Sequence, residues 1–440
     1  MIIKSAIATL MIIFVTASGV CAGQRQNTAS DKVLDSLLAQ AAKENPQIAA
    51  AGARREAAES QIAQAQAQFG PKAALATGAL WLRDGLELSN SALPLGVSIL
   101  GSHTYTAAAV LTQTIYAGGS LTAQKKAAKL ARDAVAAEEV RTGQGISNSV
   151  RRAYYSLRCA QAKEQVAKES VRLAREHMDQ AEKLFKAGVV AKNDVLRSKV
   201  EVASSELNEI RAKNSTEVAL TALRRAVGGD LPKETQESSP LSSVLSYVLQ
   251  KGPDETQADV KTAWNTREEL KMYLALSRQA EALARAAKGQ LLPQILGAVG
   301  YVAGGDNYFP SDVSEPAVGI GLYWNFYDSG EVRAKTDEAK AKAKELLFLL
   351  DDTKNEIRME VIQAELNKRS AESRLEVAQR QLAESKEDYR IAMRRYEENV
   401  GTNLDALDAR LALTNSMSEV VTAVYDIKTA EADLLYAMGK

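Results

Sequence analysis

The chain has 440 residues with 55 basic and 55 acidic side chains, so its formal net charge is zero. This balance excludes an overall electrostatic attraction to nucleic acid or to anionic lipid. Aromatic residues make up only 5% of the chain, and its runs of Ala, Gln, Lys, Glu and Leu are typical of long helices or coiled coils rather than of a thick globular core.

The first 22 residues have the pattern of a secretory signal peptide. Lys4 precedes an apolar stretch from Ile7 to Val20, and a cleavage site follows at Ala22. Two alternatives remain open: a buried N-terminal helix, and a lipoprotein signal in which Cys21 receives the lipid. The signal peptide predicts that the protein acts outside the cytoplasm.

Residues 23–228 are predicted to form a first repeat. It opens with an Ala-rich helical segment and continues with a β-hairpin over about 72–117, whose middle, 84–101, has the composition of a loop. The stretch from Ser120 to Phe185 has no proline and only two glycines, which predicts a helix of about 100 Å. A helical hairpin tip near 186–193 then reverses the chain.

The remaining chain is predicted to repeat this order after a connector over 229–253, which contains several Gly and Pro residues. The second repeat, 254–440, has a helix to about Gln290, a β-hairpin at about 294–328 and a long helical hairpin with its tip near 397–403. Apolar residues alternate with small or polar ones in its second strand, as a tilted membrane strand requires.

A fixed offset relates the two repeats. Matching residues differ by 211 positions throughout, as the pairs Tyr116 and Tyr327, Phe185 and Tyr396, and Asp194 and Asp405 show (327 − 116, 396 − 185 and 405 − 194). Solenoid repeats have periods of about 20–50 residues. The chain is therefore interpreted as a duplicated half-molecule.

Four strands per chain cannot close a barrel by themselves, because about eight strands are the practical minimum. An open sheet in lipid would leave backbone groups unpaired, whereas three chains would supply twelve strands. We therefore predict a homotrimer of a mixed, mainly α fold. A long antiparallel α-helical barrel is continued by a trimeric 12-strand β-barrel that contacts membrane lipid.

This arrangement resembles the TolC family of outer-membrane channel proteins over essentially the whole chain after the signal peptide. The resemblance is carried by Ile115–Gly119, Phe326–Gly330, Phe185–Val189, Tyr396–Thr402 and Leu404–Ala409. It implies a passive exit duct of a tripartite efflux pump or type I secretion system, with its helical tunnel in the periplasm. The partners implied are an inner-membrane pump, a periplasmic adaptor (membrane fusion protein) and outer-membrane lipid. The cargo, which the pump selects, stays open among drugs, metal ions and polypeptides.

Four charged residues are candidates for the periplasmic mouth. Asp405 and Asp408 lie one helical turn apart, so in a trimer they would form two rings of carboxylates that attract cations. Asp194 matches Asp405 in the first repeat, and Arg197 stands opposite Asp408. By the resemblance, Arg197 is expected to pair with a mouth carboxylate and hold the closed state. The alternatives are a solvated acidic helix face, and for Asp194 a helix N-terminal role.

Two further groups of candidates lie at the ends of the predicted molecule. By the same resemblance, the tips contact the adaptor through Gly188, Val189, Val400, Gly401 and Thr402, and the glycines also serve as turn residues. At the other end, aromatic residues are predicted to form membrane belts, or else are ordinary strand aromatics: Trp81, Tyr301 and Trp324.

The sequence has no enzyme signature. The histidines, His103 and His177, have no Cys or acidic cluster at metal-binding spacing, and phosphate-loop and nucleophile-elbow motifs are missing. We therefore predict no catalytic residues, no metal, no cofactor and no nucleic-acid partner. The main alternative function is a soluble periplasmic coiled-coil adaptor or spacer, but an adaptor usually has one helical hairpin, whereas this chain has two tips and four strands.

Overall fold

The structure is a computed structural model that describes residues 29–81, 86–90, 93–100, 103–236, 239–248, 260–305 and 313–440. The signal peptide predicted over 1–22 lies outside these residues, and so does Cys21, the residue that would receive the lipid in a lipoprotein. None of the helices in the described ranges has an 18-residue window hydrophobic enough for a transmembrane span.

In its described residues, the first half of the chain contains four helices and four strands. They are α1 (Ala29–Glu44), α2 (Pro46–Ala67), β1 (Lys72–Trp81), β2 (Leu86–Asn90), β3 (Leu93–Leu100), β4 (His103–Ala117), α3 (Ser120–Lys186) and α4 (Lys192–Val227). The second half contains, after a 3-10 turn (Lys233–Gln236), α5 (Leu241–Leu245), α6 (Val260–Thr266), α7 (Glu268–Gly289), β5 (Gln294–Gly305), β6 (Val313–Tyr323), α8 (Glu331–Glu397) and α9 (Asn403–Ala437).

The internal repeat extends to the backbone conformation. α3 and α8 each have 67 residues, and the residues just before them are left-handed. Four left-handed positions are matched across the repeats with the same offset of 211, namely 118 and 329, 119 and 330, 188 and 399, and 228 and 439 (329 − 118, 330 − 119, 399 − 188 and 439 − 228). Gly occupies all four positions in the first repeat, whereas Ser329 and Asn399 occupy two of them in the second.

The main sheet has four antiparallel strands in the order β1-β4-β5-β6. β1 and β6 are its edges, so each has one side without a strand partner in the part of the chain described. The expectation of a loop over 84–101 was wrong, because β2 and β3 form a second, two-stranded antiparallel sheet there.

The long helices lie side by side as a wall. In the half next to the main sheet, α3 packs against α2 and α7, and α8 packs against α7. In the half next to the hairpin tips, α3 packs against α4 and α9, and α8 packs against α9. Each half is therefore a row of four helices, with α2 or α4 at one edge and α8 at the other.

Helix ends meet at one level of this wall. The Asn45 side chain accepts a hydrogen bond from the first turn of α2 and donates one to the carbonyl oxygen of Ala226 near the end of α4 (2.8 Å). On the other side of α3, Gln144 Nε2 donates to the Gly439 carbonyl oxygen just after α9 (2.8 Å). The only glycines within α3, Gly143 and Gly145, lie at this level. α3 and α8 continue through it without a break.

The single helix expected up to Gln290 is divided at Arg267, which is 3% exposed. Its guanidinium contacts the carboxylates of Glu269 and Glu360 at 2.8–3.0 Å and donates to the carbonyl oxygen of Ala437 (3.0 Å). The break therefore satisfies a carbonyl at the end of α9 that has no partner within its own helix.

Candidate functional site

The first hairpin tip is a tight turn between α3 and α4. Gly188 has φ +74°, a conformation that costs glycine little. Its N–H donates to the carbonyl oxygen of Phe185, and the N–H of Val189 donates to that of Leu184, both at 2.9 Å. These bonds satisfy the last carbonyls of α3. Gly188 and Val189 are exposed at the end of the molecule.

The second tip reverses the chain with a different residue in the same role. Asn399 takes the left-handed conformation (φ +58°), and the N–H groups of Val400 and Gly401 both donate to the Arg395 carbonyl oxygen (2.9 and 3.0 Å). A Cβ at Gly401 would lie 2.9 Å from Arg395 Cβ, so this glycine is required by close approach. The sequence offered no direct sign of that contact.

Thr402 and Asp405 form a capping box at the start of α9. Thr402 Oγ1 accepts from the Asp405 N–H (3.1 Å), and the Asp405 carboxylate accepts from the Thr402 N–H (3.2 Å). Hydrogen bonding to Thr402 lowers the pKa of the Asp405 carboxyl. The cap is therefore complete above the ordinary pKa of an aspartate and is lost as the pH falls through the lowered value.

The other predicted mouth residues have different surroundings. Asp408 is exposed on α9, one turn after the capping box, and Asp194 is half-buried. The Asp194 backbone carbonyl, rather than its carboxylate, accepts a hydrogen bond from Asn403 Nδ2 (3.3 Å). Arg197 is exposed, and within the described part of this single chain it forms no ion pair. The structure thus brings Asp194 close to the start of α9 and leaves Arg197 and Asp408 facing outward.

A buried polar network joins the two helical hairpins above the tips, and sequence reasoning missed it. Arg410 on α9 is 2% exposed, and its guanidinium contacts the Glu201 carboxylate of α4 and Ser170 Oγ of α3 (3.0 Å). Nearer the tips, His177 Nε2 and Asn403 Oδ1 are 2.7 Å apart. We call these five side chains the inter-hairpin network.

The tips also bury a small apolar cluster and expose other apolar side chains. Ala181, Val195, Tyr396 and Ala406 form the cluster, which packs the first hairpin against the second. Exposed apolar side chains surround it, namely Phe185, Val189, Val400 and Leu404. The end of the wall is therefore a partly apolar surface.

At the sheet, the predicted belt residues are exposed and lie at different heights. Trp81 ends β1, far from the helices, and packs edge-on against Tyr105 with ring centroids 6.2 Å apart. Trp324 follows β6 at the helical end, and its Nε1 donates to the Leu291 carbonyl oxygen (3.0 Å). Tyr301 lies within β5.

Solved structures with this architecture are outer-membrane proteins, and OprN and MtrE are described as outer-membrane channels. The chain is similar to VceC of Vibrio cholerae, with 20% identity, a TM-score of 0.75 and coverage of 92% of this chain and 96% of VceC. For OprN the identity is 20% and the TM-score 0.77, over 93% and 90% of the two chains. For MtrE of Neisseria gonorrhoeae the values are 18% and 0.74, over 92% and 89%. These similarities establish the fold.

The sequence establishes the family. Residues 37–229 and 260–440 match the family described as outer membrane efflux protein, and the chain belongs to this family. A curated relative, the alkaline protease secretion protein AprF of Pseudomonas aeruginosa, is 25% identical over 295 residues. That alignment covers 65% of this chain and 60% of AprF, so the chain spans less than two thirds of that relative.

Proposed function

We propose that three copies of this protein form a passive exit duct through the outer membrane, with a helical tunnel in the periplasm. The duct is coupled through a periplasmic adaptor to an inner-membrane pump. The observation that carries the proposal is the open wall, which has two unlike edges along its whole length. Such a shape can associate edge to opposite edge, and this head-to-tail contact forms a ring when the rotation between copies closes.

Exposed apolar side chains support this mode of association. On α4 they recur at helical spacing: Leu196, Val200, Leu207, Ile210 and Val218. On the opposite edge, and in the same half of the molecule, α8 exposes Ile362, Leu366, Val377 and Ile391. Contact between these two stripes in neighbouring copies would bury both, and the same rotation would pair β6 of one copy with β1 of the next.

The main sheet has the two faces that a membrane duct requires. Val318, Ile320 and Leu322 of β6 are 68–81% exposed in the single chain, and these alternate residues lie on one face. Glycines occupy positions 319 and 321 between them. We assign the apolar face to lipid, and Trp81, Tyr301 and Trp324 to the membrane belts.

The tips are the proposed adaptor contact. Val189 and Val400 are 48% and 64% exposed and stand beside the turn residues Gly188, Gly401 and Thr402. The name of AprF concerns protease secretion, and the family description concerns efflux. Both a type I secretion system and an efflux pump therefore fit as the partner machinery. A soluble adaptor or spacer fits poorly, because it would leave the apolar sheet face in water.

The proposal is tested by purification and conductance. We expect the protein to fractionate with outer membranes, to require detergent for extraction and to have a mass near three times that of one chain, which is 47.4 kDa before signal cleavage. Reconstituted in planar bilayers, it should conduct ions. Release by osmotic shock as a water-soluble monomer would contradict the proposal.

Charge at the mouth is tested by Asp405→Asn combined with Asp408→Asn. Asparagine at position 405 keeps an oxygen that can accept from Thr402, so the cap is largely retained. We expect a several-fold weaker block by multivalent cations and a smaller cation preference in bilayer recordings, because rings of carboxylates at a pore mouth attract cations.

The matched control is Asp351→Asn with Asp352→Asn, which removes two exposed carboxylates of α8 far from the tip. It should leave block and selectivity near those of the unmodified protein. Equal effects of the two double variants would contradict the assignment of Asp405 and Asp408 to the mouth.

A further inference from the structure

His177 is a titratable side chain completely enclosed between the two helical hairpins. It lies on α3 and is 1% exposed. Its Nε2 is 2.7 Å from Asn403 Oδ1 on α9, and its ring stands 5.0 Å from the ring of Tyr396 on α8. The contact therefore joins α3 of the first hairpin to both helices of the second.

The hydrogen bonds define the protonation state of this histidine. Asn403 Nδ2 donates to the Asp194 carbonyl oxygen, so the Asn403 oxygen faces His177 and accepts from Nε2–H. The remaining nitrogen, Nδ1, is buried without a hydrogen-bond partner in the structure. A neutral imidazole fits here, because protonation of Nδ1 would bury a cation with an unsatisfied N–H.

Charged or titratable groups face His177 from each neighbouring helix. Arg410 of α9 disfavours an imidazolium, whereas Asp194 and Glu201 of α4 favour it, and Tyr396 of α8 contributes a buried phenol. Burial is the largest influence and outweighs the favourable ones, so the pKa of His177 is lowered from its ordinary value.

We propose that His177 is an acid-sensitive latch, in which uptake of a proton from the medium at Nδ1 weakens the contact between α3 and α9 and favours separation of the two hairpin tips. In the duct proposed above, on which this inference rests, separation of the tips widens the periplasmic mouth.

The direction of the pH effect follows from linkage. The separated state has a solvated histidine with an ordinary pKa of about 6.5, above that of the closed state. The contact is therefore fully stabilising above about pH 6.5 and weakens as the pH falls below that value. At a pH below both pKa values, the ratio of closed to separated states is lower by about tenfold for each pH unit that separates the two pKa values.

The latch is tested by the distance between the tips in the intact trimer. Spin labels are placed on cysteines at the exposed positions Lys186 and Glu397, in a Cys159→Ser background, with labelled subunits diluted among unlabelled ones. Between about pH 7.5 and pH 5.0 we expect the short-distance population to fall several-fold and to recover on return. The pKa of the Asp405 carboxyl is lowered by its hydrogen bonds to Thr402, so this residue stays ionised over this range and does not contribute.

His177→Gln is the decisive variant, because glutamine can donate to Asn403 and does not titrate. It should hold the short distance throughout the range, whereas His103→Gln, at the only other histidine, should respond like the parent. Distances that do not change in the parent, or that change equally in His177→Gln, would overturn the latch.

A second variant keeps the test decisive if His177→Gln does not fold. Asn403→Asp gives the imidazolium a carboxylate partner, so the separation should require a lower pH, and an unchanged midpoint would contradict the proposal. If the protein conducts no ions at any pH, the proposed duct fails, while the distance measurements still decide whether His177 controls the tips.

Discussion

Glu201→Ala is expected to destabilise the folded protein by about 3–5 kcal/mol, the cost of removing one partner from a buried ion pair. Arg410 is 2% exposed, and Glu201 is the only carboxylate that contacts its guanidinium within the described residues. Without Glu201, the charge would be left with the hydroxyl groups of Ser170 and Ser205. The measurement is the free energy of unfolding in denaturant, followed by the helical circular dichroism signal.

Two controls distinguish the cost of leaving a buried charge unpaired from the cost of losing an ion pair as such. Glu387→Ala removes the partner of Arg390 on the surface of α8, where both side chains are more than half exposed. Its cost should be only about 0–1 kcal/mol. Glu201→Ala combined with Arg410→Leu removes both charges and should recover most of the lost stability. A double variant no more stable than Glu201→Ala would show that the buried charge is not the cause.

Gly118→Ser is expected to disrupt the corner where β4 joins α3. Gly118 is left-handed (φ +59°), and a Cβ there would overlap the Gly289 carbonyl oxygen and lie 2.7 Å from Leu292 Cβ. A backbone shift is unavoidable, so we expect a loss of about 3 kcal/mol or more in the free energy of unfolding. Less protein should reach the outer membrane, which quantitative immunoblotting of membrane fractions would measure.

The repeat itself supplies the matched control. Ser329 occupies the equivalent position in the second corner with φ +55° and is exposed. Ser329→Gly relieves an unfavourable backbone conformation and removes no buried contact, so its effect on stability and on the amount of protein in the outer membrane should be small. Equal losses in the two variants would contradict the steric explanation for Gly118.

The large features of the fold could be predicted from sequence because each depends on a local or periodic signal. The long stretches without proline predicted the long helices, and the 211-residue offset predicted the duplicated architecture. The prediction of a loop over 84–101 was wrong because it gave more weight to the Gly, Ser, Asn and Pro residues than to the alternation of apolar residues in Leu86–Asn90 and Leu93–Leu100. Pairing of two such strands is a tertiary effect that composition does not reveal.

The site could be predicted only in part, for a related reason. The tips could be located because turn glycines mark them, and the exposed charges nearby were visible in the sequence. The inter-hairpin network was not, because Arg410 and Glu201 are 209 residues apart and nothing in the sequence pairs them. Arg410 also looks like any other surface charge, since a charged side chain is seldom fully buried.

The level at which helix ends meet has a mechanical consequence. Two of the four helical positions in the wall are interrupted there, where α2 meets α4 and α7 meets α9. The only two glycines of α3 lie at the same height, and each weakens a helix by about 1 kcal/mol relative to alanine. In the proposed duct, a cylinder built from such walls would bend more easily at this level than in the segments on either side of it. The segment nearer the tips would be able to tilt towards a misaligned partner while the segment held in the membrane stayed upright.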